Sequence, residues 1–189
     1  MALSALALCT RALLKIGAQP IASLDEGTAE AEVAANLYAG TRDALISSHP
    51  WSFATGQACL PRLAAQPTAD FAHAYQLPAD FLRAVSAGVP NSGRGLVYRL
   101  FEDRLHCDAE RVVLSYIFRP DESAFPAYFA AALAARLAAE FCIPLTENTS
   151  RAQLLLAQAE AELRNARRID SQQATPRAFD DFPLITVRG

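Results

Sequence analysis

His49-Pro50-Trp51-Ser52-Phe53-Ala54 divides the chain into two textures and carries its single tryptophan. Before it, apolar residues recur every three or four positions over two long segments, the spacing of amphipathic helices. After it, short runs of strand-forming residues alternate with Pro, Gly, Asn and Asp as far as Pro120. Long periodic segments then return. The reading is an α+β fold. Residues 1–50 and 120–170 supply a four-helix body, two helices N-terminal and two C-terminal. Residues 51–119 form an inserted, mainly antiparallel β section, and residues 171–189 a C-terminal extension. Trp51 and Phe53 stand at the joint and are expected to bury there, locking the two parts together. Trp51 is therefore read as architectural and not as a binding residue.

Upstream of the joint, the second helix is expected to end before Pro50, because the residue preceding proline avoids helical geometry. It opens either at Thr28, a good N-cap with Glu30 and Glu32 at the positive end of the dipole, or a turn earlier at the capping-box pair Ser23 and Glu26. Val33, Leu37, Ala44 and Leu45 are placed toward the core, and Glu32, Asn36 and Asp43 toward solvent. In the first helix, residues 3–16, Leu6, Cys9, Leu13 and Ile16 share one face, and Gly17 supplies the stop.

Downstream, strands are expected at Phe53–Leu60, Ala72–Gln76, Leu82–Val89, Val97–Phe101 and Val112–Phe118. Pro61, Pro67, Pro78, Pro90-Asn91-Ser92-Gly93 and Asp103 mark turns. Ser123 is expected to cap the third helix, whose stripe is Phe125, Phe129, Leu133, Leu137 and Phe141, and Pro144 to end it. The alanines between allow close approach of neighbouring helices. Ser150 with Gln153 reads as the capping box of the fourth helix, with Leu156 and Leu163 on a face flanked by Ala152, Ala159 and Ala166.

The net charge of −3 and pI near 5.6 exclude the basic patch of a general nucleic-acid binder. They suit a wall that DNA passes without being held. The cysteines at 9, 59, 107 and 142 lack metal spacing and read as buried free thiols in a reducing compartment. Met1–Leu14 lacks a preceding positive charge and reads as a folded helix rather than a signal peptide. The alanine-rich run at 124–135 is too short to span a bilayer, so no membrane partner is expected.

Chemistry is sparse. His49, His73 and His106 are isolated, with no His-Glu-x-x-His, and no Gly-x-Ser-x-Gly elbow occurs. Asn91-Ser92-Gly93-Arg94-Gly95 lacks Walker spacing and reads as a surface turn. The carboxylate pairs Asp25-Glu26, Glu102-Asp103, Asp121-Glu122 and Asp180-Asp181 read as turn or linker residues. No enzyme activity, catalytic residue, metal or cofactor is expected. One segment does look like a binding element. Beyond the polar linker Ser171–Pro176 lie Phe179, Phe182, Leu184, Ile185 and Val187, an apolar end-piece suited to docking on a partner, by strand addition among other routes.

Several segments together resemble the tail tubular protein A family of short-tailed phages. They are Leu8-Cys9 through Gly17, Ile21 through Glu26, Tyr38 through Asp43, and His49 through Ala54. They continue with Tyr75 through Asp80 and Arg83, Tyr116-Ile117, Phe125 through Phe129, and Leu133–Ala139 to Pro144-Leu145-Thr146. The resemblance covers nearly residues 2–168. It departs from the family pattern after Leu100, where Glu102-Asp103-Arg104 shortens a hairpin, and the segment after Asp170 has no counterpart in it.

The resemblance implies a structural head-to-tail adaptor of the virion, made in the host cytoplasm. Such proteins form a homo-oligomeric ring, usually twelvefold, between the portal protein and the tail nozzle protein. DNA passes through the lumen without sequence-specific binding. Helices would pack side by side between copies, the β section would face the tail, and the C-terminal segment would reach the portal or a neighbouring subunit. The competing readings are a tail-associated cell-wall hydrolase, a simpler all-helical head-completion connector and a cellular DNA-binding module. The absence of a carboxylate cleft motif, the β section of about seventy residues and the charge balance respectively weigh against them.

Overall fold

The computed structural model describes residues 3–173. It shows an α+β fold with four α-helices and two small antiparallel sheets. Helix α1 (Ala5–Ile16) starts where Ser4 Oγ accepts the Ala7 amide and stops at Gly17, whose φ of 72° is the left-handed conformation glycine adopts without strain. Helix α2 (Ala29–Ser47) starts at Thr28, whose Oγ1 accepts the Ala31 amide. Of the two starts allowed by the sequence, the later one holds. Glu26 instead folds its carboxylate back onto the Ala22 and Ser23 amides, closing the turn before the helix.

Helix α3 (Ala127–Thr146) is the axis of the body. It packs against α1, α2 and α4 (Thr149–Asp170), and its Phe129, Leu133, Leu137 and Phe141 are fully buried. Its length and composition would also suit a bilayer, but the buried face is covered by the other three helices. Helix α4 meets α3 through Ala152, Ala159 and Ala166, a seven-residue repeat with no side chain beyond Cβ. The axes can therefore approach closely, and Leu156, placed with Leu163 on the apolar face by pattern, is exposed while Leu163 is half-buried.

Four boundary expectations are corrected. Pro144 lies inside α3, which runs two residues further and closes on Glu147 in the left-handed region (φ 53°). A proline so near the C-terminus removes one hydrogen bond and no more of the ladder. Pro126, not Ser123, occupies the N-cap of α3, and Glu122–Ala124 forms a separate 3-10 turn. Asn148, not Ser150, caps α4, its side chain accepting the Arg151 amide at 2.9 Å. Ser52–Ala54 is a 3-10 turn, so the first strand begins at Thr55 and not Phe53.

The β section holds β1 (Thr55–Cys59), β2 (His73–Gln76), β3 (Phe81–Gly88), β4 (Arg99–Phe101), β5 (Arg104–Cys107) and β6 (Val113–Phe118). One sheet has the order β1-β6-β3, the other β2-β5-β4, and every pairing is antiparallel. Strand β5 was not anticipated. It forms a tight hairpin with β4 through Glu102-Asp103, which gives the shortened turn a structural meaning. Gly88 ends β3 against the following turn, where a Cβ would stand 1.9 Å from the Ser92 carbonyl oxygen.

Two cores result. The helical core includes Trp51 and Ile117, and a second core between the sheets holds Tyr75, Leu105, Val112, Leu114 and Tyr116. Alternation along β6 serves both, because successive side chains leave opposite faces of a strand. Ile117 enters the helical core while Leu114 and Tyr116 enter the other. All four cysteines are free, but Cys59 is exposed on β1 instead of buried. Burial pushes the Cys9 thiol up to about 12, which keeps it protonated and inert.

Candidate interaction surfaces

Trp51 is fully buried, and its indole Nε1 donates to the Leu45 carbonyl at 3.1 Å near the end of α2. Its ring meets Phe129 edge-on at 5.1 Å between centroids, and Phe53 packs on Phe125 and Phe129. Beneath this aromatic group lies a polar knot that sequence reasoning missed. Asp170, the last residue of α4, is 5% exposed. It accepts the Ser52 amide (3.0 Å), the Ser52 hydroxyl (2.7 Å) and the Tyr128 hydroxyl (2.7 Å). One signal for it existed: an acid at a helix C-terminus opposes the dipole and needs another reason to be there.

His49 Nε2 stands 3.8 Å from Asp170 Oδ2, so a histidine, a serine and an aspartate converge here. The arrangement is not that of an activated nucleophile. The Ser52 hydroxyl donates to the carboxylate itself, leaving the imidazole without the proton it would have to accept. Burial, with Arg167 and Arg83 nearby, pulls His49 below its ordinary value against the attraction of Asp170.

A second cluster fastens α2 to the chain between β6 and α3. Arg42 bridges Asp43 (2.9 Å) and Glu122 (3.0 Å), Arg119 pairs with Asp43 (2.7 Å), and Tyr38 donates to Glu122 (3.0 Å). Asp43, expected to face solvent, is half-buried because two arginines hold it. Burial alone would raise both carboxyls. Hydrogen bonds from Arg119 and Arg42 to Asp43, and from its own backbone, Tyr38 and Arg42 to Glu122, outweigh it and hold both below the carboxylate range. A depressed folded-state pKa stabilises above the unfolded value and is lost as pH falls through the folded value. Stability should therefore decline as pH drops below about 4, the ordinary carboxylate range. Asp43→Asn with Glu122→Gln should flatten that decline in urea midpoints measured from neutral pH to acid. An unchanged slope would mean that the cluster contributes nothing.

The remaining carboxylate pairs sit where turns need them. Glu26 also accepts the Thr28 hydroxyl, and Asp103 accepts the Gln76 amide from the β4–β5 turn. Asp180-Asp181 lies outside the described residues, as do Phe179, Phe182, Leu184, Ile185 and Val187. Among the described residues no group of three or more His, Cys, Asp or Glu side chains could hold a metal ion.

What the surface does offer is apolar relief on both flanks of α4. On one flank, Leu14 of α1 (59% exposed) borders a cleft of about 350 Å³ with Ala130, Ala131 and Ala134, which Arg11, Lys15 and Glu162 also line. On the other, Ile143 (52% exposed) and Leu156 border a cleft of about 340 Å³ with Ala139 and Ala152, which Arg136, Glu140 and Gln153 also line. Leu154, 60% exposed, lies on α4 itself. No protein-family model matches the chain, and no curated protein matches it significantly.

Proposed function

We propose that the protein is a structural head-to-tail adaptor of a phage virion, a ring between portal and tail nozzle through which DNA passes. The carrying observation is the pair of unlike apolar clefts on opposite flanks of α4. A closed ring of identical subunits needs a heterologous contact, in which one surface meets a different surface of the next copy. Two unlike clefts flanking one helix, with exposed leucines between and beside them, supply such a pair. The resemblance to the tail tubular protein A family points the same way, as does the fastening of the β section to the body by Trp51, Asp170 and the Arg42 cluster. A rigid joint lets the β section dock a nozzle without losing register with the ring. In this reading the protein has no catalytic role and no cofactor. Its place is the head–tail interface of the virion, and Phe179, Phe182, Leu184, Ile185 and Val187 serve attachment to the portal or a neighbour.

The test is the solution mass of the purified protein, alone and with portal. A ring, or a monomer that becomes a ring on portal, is the expected result. A monomer indifferent to portal but active on peptidoglycan would overturn the reading in favour of a wall hydrolase. Deleting Thr175–Gly189 should weaken assembly while leaving the fold intact, read as an unchanged far-UV circular dichroism spectrum.

A further inference from the structure

Of Val33, Leu37 and Ala44, placed toward the core by their spacing, Val33 and Leu37 pack against it while staying half-exposed, and Ala44 is exposed. The residues of α2 that reach the core are Ala31, Ala34, Tyr38, Leu45 and Ile46. Helix α2 thus carries more apolar surface than its own body covers. Leu37, Gly40, Ala44 and Leu45 form one wall of a groove of about 490 Å³, and Leu163 of α4 forms the other. The Arg136–Glu140 pair of α3 (2.6 Å) lies on its floor. Asn36, Thr41 and Ser48 add polar atoms at its edge, as an extended backbone laid along it would require. The groove has room for a few large side chains and not for a folded partner.

The end of α4 lies beside the Ser48 end of this groove. Arg167 donates to Ser48 Oγ at 3.1 Å, and Asp170 is held at Ser52 beside His49. Ser48 is itself a lining residue. From Ser48 back to Leu37 the helix rises about 16 Å. Six residues beyond Gln173, Phe179 can lie up to about 20 Å away, and Phe182 up to about 30 Å. The segment following Gln173 is therefore long enough to run the whole groove.

We propose that, in the unassembled chain, residues 174–189 dock into the α2–α4 groove of their own subunit, with Phe179 and Phe182 covering Leu37, Ala44 and Leu163. The occupant is the chain's own tail, because α4 ends beside Ser48 and a tethered segment has a higher effective concentration there than a free partner. This goes beyond the adaptor reading and does not rest on it, since it concerns the free monomer.

The test replaces Phe182 with p-benzoylphenylalanine in the full chain, at a concentration where it is monomeric, and maps photo-crosslinks by mass spectrometry. The expected product has monomer mass and joins residue 182 to peptides containing residues 36–48 or Leu163. A product of dimer mass at the same peptides would overturn docking in the same subunit in favour of exchange between copies. Crosslinks elsewhere, or none, would overturn the groove as the site. A second variant adds Ala44→Trp, which fills the groove from an exposed position and should leave the far-UV circular dichroism spectrum of the folded protein unchanged. Loss of the crosslink supports the proposal; its persistence overturns it. Portal plays no part in this experiment, so failure here leaves the ring measurement untouched.

Discussion

Replacing Trp51 with alanine lowers the stability of the monomer by about 3–5 kcal/mol, the range for truncating a fully buried aromatic. The indole is completely enclosed and lies against Phe129 and Phe53 from two different elements. Its loss opens a cavity where α2, α3 and the turn leading into the β section meet. It also removes one of three donors to the Leu45 carbonyl in the last turn of α2, leaving the Ser48 amide and hydroxyl. Against a total of roughly 5–15 kcal/mol, that loss leaves a marginal fold. The check is a urea titration at fixed m-value, since a shift in midpoint alone reports stability. A near-neutral effect on folding, joined to loss of assembly, would instead move Trp51 to an interface.

The α+β layout was legible because its signals are local. A lone residue decides each of Gly17 and Thr28: α1 stops at the first as expected, and α2 opens at the second, one of the two starts the sequence allowed. Trp51 was legible for a related reason: a large apolar side chain between a helix stop and a strand has few places to go. Strand β5 was not. Arg104-Leu105-His106-Cys107 alternates correctly but for only four residues, directly after a turn, and the pattern is too short to stand apart from loop. Helix α4 misled in another way. Leucines dominate any hydropathy pattern, yet its contact with α3 runs through alanines, which bury little area but permit a short axial distance. Asp43 and Asp170 were invisible because their burial depends on partners roughly 76 and 118 residues away in sequence, and no periodicity encodes such pairing.

The two fastenings divide the work of holding the β section. The Arg42 cluster is partly exposed and ionic, so it weakens with salt and acid. The Asp170 knot is buried and built from hydrogen bonds to a single carboxylate, so salt should barely reach it. In the proposed adaptor, whose β section would transmit position between two partners, the second is the fastening that matters.

Asp170→Asn tests it, with an expected loss of about 2–4 kcal/mol, because hydrogen bonds to a charged group exceed neutral ones and a donor left unpaired adds its desolvation. The amide offers one acceptor oxygen where the carboxylate offered two, and its NH2 group faces donors from Ser52 and Tyr128. The sign of the effect separates two accounts of this residue. If Asp170 were only an acid at the negative end of α4, removing its charge would relieve the helix dipole and stabilise the protein by about 0.3–1 kcal/mol. If it anchors the joint, the same substitution destabilises. Tyr128→Phe should cost only about 1 kcal/mol, since the carboxylate keeps both Ser52 bonds. Trp51 fluorescence gives the readout specific to the joint: Asp170→Asn should shift emission to the red at denaturant concentrations below global unfolding, as the Ser52–Ala54 turn loosens first. A stabilised variant with unshifted emission would remove Asp170 from the joint and leave Trp51 and the Arg42 cluster to hold the β section alone.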